Sequence, residues 1–370
     1  MTLLHRLTGA PPGMSPRALV LRCSAIGALL AGAAGAFAAA GGWLSPAALT
    51  PGRVVDRFEQ VNGPHPGFRR NHAKGLCVAG EFAGNGAGAA LSKASVFAAG
   101  RVTPVEGRVA LAGGQPYAAD AGTTVRSLAL RFRLPDRQEW RTGMNAIPVF
   151  PVRTPEAFYE QLLAAKPDPA TGKPDPERLK AFFAAHPESA KAAGLIKART
   201  ITAGFADSTF RSLNAFRFVG ADGRATPVRW ALVPERPVAP ETAAQAARTD
   251  KNYLFDDLVA QLRREPLRWH LVVTIGQSGD ATADATLPWP SDRENVDVGT
   301  LTLSGAMPEE AGNCRDVNFD PLVLPDGIAP SDDPLLSARS AAYARSFARR
   351  AGEATGPSAV AATADRGDTL

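Results

Sequence analysis

The stretch SARSAAYARSFARR, close to the C-terminal end of the 370-residue chain, puts an unusual set of side chains on one stripe. Arg339, Tyr343 and Arg350 stand at i, i+4 and i+11. At about 100° per residue, these offsets fall within roughly 40° of one another on a helix face. A free tyrosine ionises only near about pH 10, so it is a poor metal ligand at neutral pH. A ferric ion on one side of the phenol and a guanidinium on the other favour the phenolate. The stripe therefore suits an iron-bound phenolate. Taken alone, a basic helix near a C-terminus is ordinarily a solvated face.

A second set lies far upstream, in GPHPGFRRNHAKG, where His72 sits between Arg69–Arg70 and Lys74–Gly75. Only five histidines occur in the chain, so this one stands out against a sparse background. A neutral imidazole held above a heme iron can take a proton from one peroxide oxygen and return it to the other. By itself, His72 reads as a surface histidine in a basic loop.

The combination resembles the catalase family. HAKG, followed by Gly-rich strands, resembles the distal-histidine motif of catalases. PDGIAPSDDPLLSARSAAY resembles the stretch leading into their proximal tyrosine, with its R-x-x-x-Y motif. Between them, GMNAIPVFPVR resembles the distal-asparagine segment, and Ser208–Asn214 with AFRFVGADG resembles the family's T-F-x-x-x-N stretch. The likeness runs in order from about Arg53 to Arg350. Tyrosine ligation of heme is itself a catalase trait.

That resemblance implies a set of roles. His72 is the expected distal acid–base group and Asn145 the distal amide that donates to peroxide. Tyr343 is the expected iron ligand, with Arg339 supporting its phenolate. Arg69, Arg108 and Arg350 match arginines that bind the heme propionates through charge-assisted bonds. Phe158 falls where the family packs a ring against the porphyrin. The implied cofactor is heme b. The implied activity is that of the small catalase-related peroxidases: reduction of hydrogen or organic peroxides through a ferryl intermediate, with oxidation of a small organic donor. A true catalase that dismutates hydrogen peroxide is the first alternative; a non-catalytic exported carrier of heme or another ligand is the second.

Four positions depart from the family pattern. Catalases place a serine two residues after the Arg108 position, bonded to the distal histidine; here it is Ala110. The residue before the histidine, usually valine, is Asn71; the second Phe of the PxFF segment is Pro151; a channel-lining Asp is replaced by Ser127. Each change loosens or alters the approach to the iron, so the expectation is slow dismutation and access for a donor larger than peroxide.

The elements needed to position these residues are legible in outline. Arg53–Val61 reads as a short helix. From Gly75 to Phe150, short apolar runs such as Arg126–Phe132 alternate with Gly and Pro, as in antiparallel sheets. Thr154–Ala165, Glu177–Ala198 and Glu241–Arg264 read as helices, and Ser212–Val219, Val228–Val233 and Trp269–Ile275 as strands. The last helix begins at Asp333–Pro334, with proline suited to its first position. The predicted fold is α+β: a catalase-core antiparallel β-barrel with surrounding helices, lacking the long N-terminal arm and the C-terminal flavodoxin-like domain. The expected domains are a heme peroxidase domain over 53–350 and a disordered tail over 351–370.

Residues 1–44 form a separate targeting segment. Arg6, Arg17 and Arg22 precede or open an apolar run from Cys23 to Leu44, with an A-x-A site at Ala36–Phe37–Ala38. This pattern is either a secretory signal or a retained anchor, since the run is long enough to cross a bilayer. Either way the domain is expected in the periplasm, with an inner-membrane tether if the segment is kept. Cys77 and Cys314 would then meet an oxidising compartment, as a disulfide or as two buried thiols. A formal charge of +5, with much of it near the ends, carries no nucleic-acid footprint. A monomer or small oligomer is expected. GNGAGAA lacks a phosphate-loop lysine and reads as a strand connection; His65 and His186 read as loop residues and His270 as a core or edge strand residue.

Overall fold

The computed structural model describes residues 15–41 and 48–362. The chain divides into two units, Met1–Thr50 and Pro51–Leu370. The first contains helix α1 (Pro16–Ala40), capped by the Ser15 side chain accepting from the Ala18 N–H. It is long and apolar enough to cross a membrane and has no buried residue. Ala36–Phe37–Ala38 lies inside this helix; Leu44, the end of the apolar run, falls outside the described residues.

The second unit is built on a closed sheet. Its strands are β1 (Gly75–Gly84), β2 (Val102–Leu111), β3 (Arg126–Arg133), β4 (Glu139–Asn145), β5 (Phe210–Arg211), β6 (Phe216–Val219), β7 (Ala225–Pro234), β8 (Leu267–Ile275), β9 (Asn295–Met307) and β10 (Ile328–Pro330). The hydrogen-bonded order β7-β5-β4-β3-β2-β1-β9-β8 returns to β7, so eight strands form an antiparallel barrel. β6 and β10 extend from β7 as a short flap. Closure leaves the eight strands without a free edge.

Alternation along each strand sorts the two faces. Val109, Leu128, Leu130, Phe132 and Met144 point into the barrel, where Phe216 stacks on Trp230 at 4.4 Å and Trp140 meets Trp230 edge to face at 5.1 Å between centroids. The intervening residues point outward, and the register aligns them in two rows. Cys77, Arg108, Ala129 and Gly143 form one; Gly75, Ala110, Ser127 and Asn145 form the other. Helices α2 (Pro51–Asn62), α3 (Pro155–Ala164), α4 (Pro176–Ala185), α5 (Pro187–Ala198), α6 (Ala243–Ala246), α7 (Tyr253–Arg264), α8 (Glu309–Gly312) and α9 (Pro334–Ala351) surround the barrel. α9 packs against α2 and α3.

Three expectations need correction. Glu177–Ala198 is two helices, broken where Pro187 starts a new first turn. Glu241–Arg264 contains a single-turn helix, α6, and then α7. The tail is not disordered from 351: Glu353 accepts from the Gly67 N–H at 2.8 Å and pairs with Arg70, and Val360 is fully buried in the core. Residues 363–370, the rest of that segment, lie outside the described residues. Cys77 and Cys314 form a disulfide that ties β1 to a 3-10 turn 237 residues away.

Candidate active site

The two outward rows form the floor of a cavity of about 330 Å³ between the barrel, α2, α3 and α9. Ala110, Ala129 and Gly143 offer at most a methyl group there, which leaves room above the sheet. All eight residues singled out from the sequence line this cavity: Arg69, His72, Arg108, Asn145, Phe158, Arg339, Tyr343 and Arg350.

The HAKG segment is fixed residue by residue. His72 has φ +54°, a left-handed conformation uncommon outside glycine. Asn71 Oδ1 supports it by accepting from the His72 and Gly113 N–H groups at 3.0 and 2.9 Å. The Arg108 guanidinium donates to the carbonyls of His72 and Ala73 at 2.7 and 3.0 Å. Gly75 is required by this approach, because a Cβ there would lie 2.3 Å from Arg108 Cζ. Buried Lys74 donates to Asp120 at 2.6 Å and to the carbonyls of Ala118 and Lys251. Asn71, expected to alter the channel, lines the cavity but commits its amide oxygen to the backbone.

The His72 imidazole faces the cavity while protein surrounds it. Desolvation, reinforced by Arg108, Arg339 and Arg69, lowers its pKa to about 3, against a small opposing effect of the Leu111 backbone. His72 is therefore a neutral base over the physiological range. Ser127 Oγ lies 3.1 Å from His72 Nδ1 and donates to Asn145 Oδ1 at 2.5 Å. Ser127 lines the cavity and also joins the two distal candidates.

Tyr343 projects from α9, whose first turn is capped by Asp333 accepting from the Leu335 N–H at 2.9 Å. One turn before Tyr343, Arg339 places an NH2 group 3.4 Å from the phenol oxygen and 3.4 Å from the Gly143 carbonyl. Its other terminal nitrogen donates to Asn214 Oδ1, and Asn214 donates to Asp333 at 2.8 Å. A chain from buried Asp333 and Asn214 to half-buried Arg339 therefore fixes the guanidinium beside Tyr343.

The remaining arginines form a strained cationic group. Arg69 donates to the carbonyls of Cys314 and Val317, each at 2.9 Å, yet its Nε has no hydrogen-bond partner among the described residues. Burial and the charges of Arg108 and Arg350 hold its pKa well below the usual arginine range. Burial and Arg108 likewise bring Arg350 down to about 10. Glu309 answers Arg108 at 2.8 Å; burial would raise this carboxyl, but Arg108, Arg69 and Arg315 hold it below its ordinary value. A ligand bearing carboxylates would relieve the repulsion and satisfy Arg69. Phe158 adds an apolar wall, with Phe58 and Phe150 at 5.7 and 5.9 Å. A phenol oxygen, an apolar space above a small-residue floor and an under-neutralised arginine group together fit a heme.

Glu309 and the bridging contacts of Ser127 were not foreseen from the sequence. Neither carries a local motif, because their partners lie far away in sequence. Asn214 sat within the recognised TFRSLN stretch but had no role attached to it. His186 and His270 are engaged elsewhere, with Glu160 and Asp297, each at 2.8 Å.

The chain matches the sequence model of the catalase family, described as "Catalase", over residues 45–357. It is 39% identical over 302 residues to a "Catalase-related peroxidase" of Synechococcus elongatus, covering 82% of this chain and 89% of that protein. A "Catalase-related peroxidase" of Mycolicibacterium paratuberculosis is 34% identical over 305 residues, covering 82% and 96%. The fold is similar to that of a bacterial catalase with a TM-score of 0.69 at 23% identity, covering 82% of this chain and 62% of that one. The barrel, the two outward rows and these matches lead to one conclusion: the chain belongs to the catalase family.

Proposed function

We propose that the protein is a heme-dependent peroxidase that reduces hydrogen peroxide or organic peroxides and oxidises a small organic donor. The observation that carries this reading is the sharing of one cavity by the Ser127-linked pair His72–Asn145 and the Arg339-backed Tyr343. Two relatives that align over most of their length are named catalase-related peroxidases.

Tyr343 would hold the iron of heme b, and the Arg339 charge would favour its phenolate form. Arg69 and Arg350, with the charge of Arg108, would hold the propionates; three donors of Arg108 are already committed to Glu309 and to the His72 and Ala73 carbonyls. Phe158 would pack against the porphyrin. When bound, the heme supplies the two-electron reduction of peroxide. His72 Nε2 accepts the proton of the bound peroxide oxygen and returns it to the departing oxygen, which leaves as water or an alcohol. Asn145 steadies the same peroxide through its amide N–H groups.

α1 would direct export and leave the domain in the periplasm, free or tethered to the inner membrane. The Cys77–Cys314 disulfide suits that oxidising compartment. The deciding experiment supplies peroxide to the heme-loaded protein with and without a phenolic donor, recording oxygen release and donor oxidation together. Donor oxidation exceeding oxygen release supports the peroxidase. Oxygen release alone, unaffected by donor, identifies a catalase, and neither reaction identifies a carrier.

A further inference from the structure

We propose that Ser127 is the positioning residue for both distal groups, and that its single hydroxyl sets the tautomer of His72 and the orientation of Asn145. The consequence for turnover rests on the peroxidase reading; the hydrogen-bond arrangement does not.

A serine hydroxyl has one proton to donate and lone pairs to accept with. Ser127 Oγ is 2.5 Å from Asn145 Oδ1. That separation suits O–H···O and is short for N–H···O, so it favours the amide oxygen, not its nitrogen, facing the serine. The amide oxygen can only accept, which uses the serine proton. The remaining contact, 3.1 Å to His72 Nδ1, is then satisfied only if Nδ1 carries the proton and donates to Oγ. A neutral imidazole protonated at Nδ1 keeps its free lone pair at Nε2. The same bond frees both amide protons of Asn145 for donation elsewhere. One buried hydroxyl therefore prepares an acceptor and a donor in one cavity.

Strand register explains how this residue can replace the missing serine at 110. Ala110 on β2 pairs directly with Ser127 on β3, and Ser127 pairs directly with Asn145 on β4. All three point to the outer face of the barrel. Moving the hydroxyl from 110 to 127 shifts it by one strand along the same row. At 127 it lies beside Asn145 as well as His72, so it reaches a partner that a residue two strands from Asn145 does not adjoin. The expectation that Ala110 leaves the His72 ring less well oriented is thereby replaced: orientation comes from the neighbouring strand.

The test reads both the bond and its consequence. Imidazole nitrogen resonances in the full chain, labelled with nitrogen-15 histidine and prepared without heme, report the His72 tautomer directly. The parent should show Nδ1–H, and Ser127→Ala should show the Nε2–H form or a mixture. With heme bound, Ser127→Ala should react with peroxide about 10- to 100-fold more slowly. Ser127→Thr, which keeps the hydroxyl, should retain tautomer and rate. Ala110→Ser combined with Ser127→Ala should restore the Nδ1–H form. An Nε2–H tautomer in the parent overturns the proposal without recourse to any variant. So does a Ser127→Ala protein that keeps the parent tautomer, whatever its rate. A parent with the Nδ1–H form and no reaction with peroxide would instead refute the peroxidase reading and leave the arrangement standing.

Discussion

At the scale of single residues, the site depends on keeping one base neutral and several cations close together. His72 is an ordinary imidazole in the unfolded chain and is lowered to about 3 in the fold. Above pH 6.5 both states are neutral. Between pH 6.5 and about 3 the unfolded chain binds a proton that the native one does not, so this group's contribution to stability is lost as pH falls through that window. In its proposed role as proton acceptor, His72 stays neutral over this range, and the second-order rate with peroxide should be flat between about pH 5 and 8. A fall in that rate centred near pH 6.5 would contradict the environment described here. His72→Ala should lower the rate by about 10²- to 10⁴-fold while heme stays bound, as stopped-flow mixing and the absorption spectrum can establish. Tyr343, His72 and Asn145 were legible because each lies in a short motif. The bridging contacts of Ser127 were not legible, because Asn145 on the neighbouring strand and His72 in a loop lie 18 and 55 positions away.

Among elements, the disulfide and the HAKG segment hold the cavity walls. Cys77–Cys314 fixes the turn whose carbonyls receive the Arg69 guanidinium. Replacing both cysteines with serine should cost about 2–5 kcal/mol in denaturant unfolding and weaken heme retention. An unchanged unfolding midpoint and heme affinity would show that the link is dispensable. Lys74→Met leaves Asp120 buried without its cation and should destabilise by about 3–5 kcal/mol, read from the same unfolding curves. Helices with a proline start, such as α9, were placed closely from sequence because Asp333–Pro334 is a local signal. The break at His186–Pro187 was passed over because both flanking runs carry similar Ala-rich, helix-favouring residues. β9 was not read as a strand, although NVDVGTLTLSGAM alternates, because glycines interrupt its apolar pattern. The tail was taken for disorder on composition, while Glu353 and Val360 are held by distant partners in the folded chain.

For the whole molecule, closure of eight strands gives a rigid floor, and the helices supply the opposite wall with Tyr343 and Arg350. The apolar helix α1, proposed to direct export, belongs to a separate unit, so deleting residues 1–44 should leave heme binding and peroxidase rate intact while removing the protein from periplasmic or membrane fractions. Cell fractionation with activity assays checks this, and recovery of the full-length protein in the cytosol would contradict the export assignment. The proposed iron ligand is Tyr343. Its most direct test is titration of the heme-free chain with ferric heme, followed by absorption and resonance Raman spectroscopy, for the parent and Tyr343→Phe. One heme per chain with the signature of a phenolate-bound ferric iron is expected in the parent, and loss of that signature with weakened binding in Tyr343→Phe. An identical spectrum and affinity in both proteins would show that Tyr343 is not the ligand.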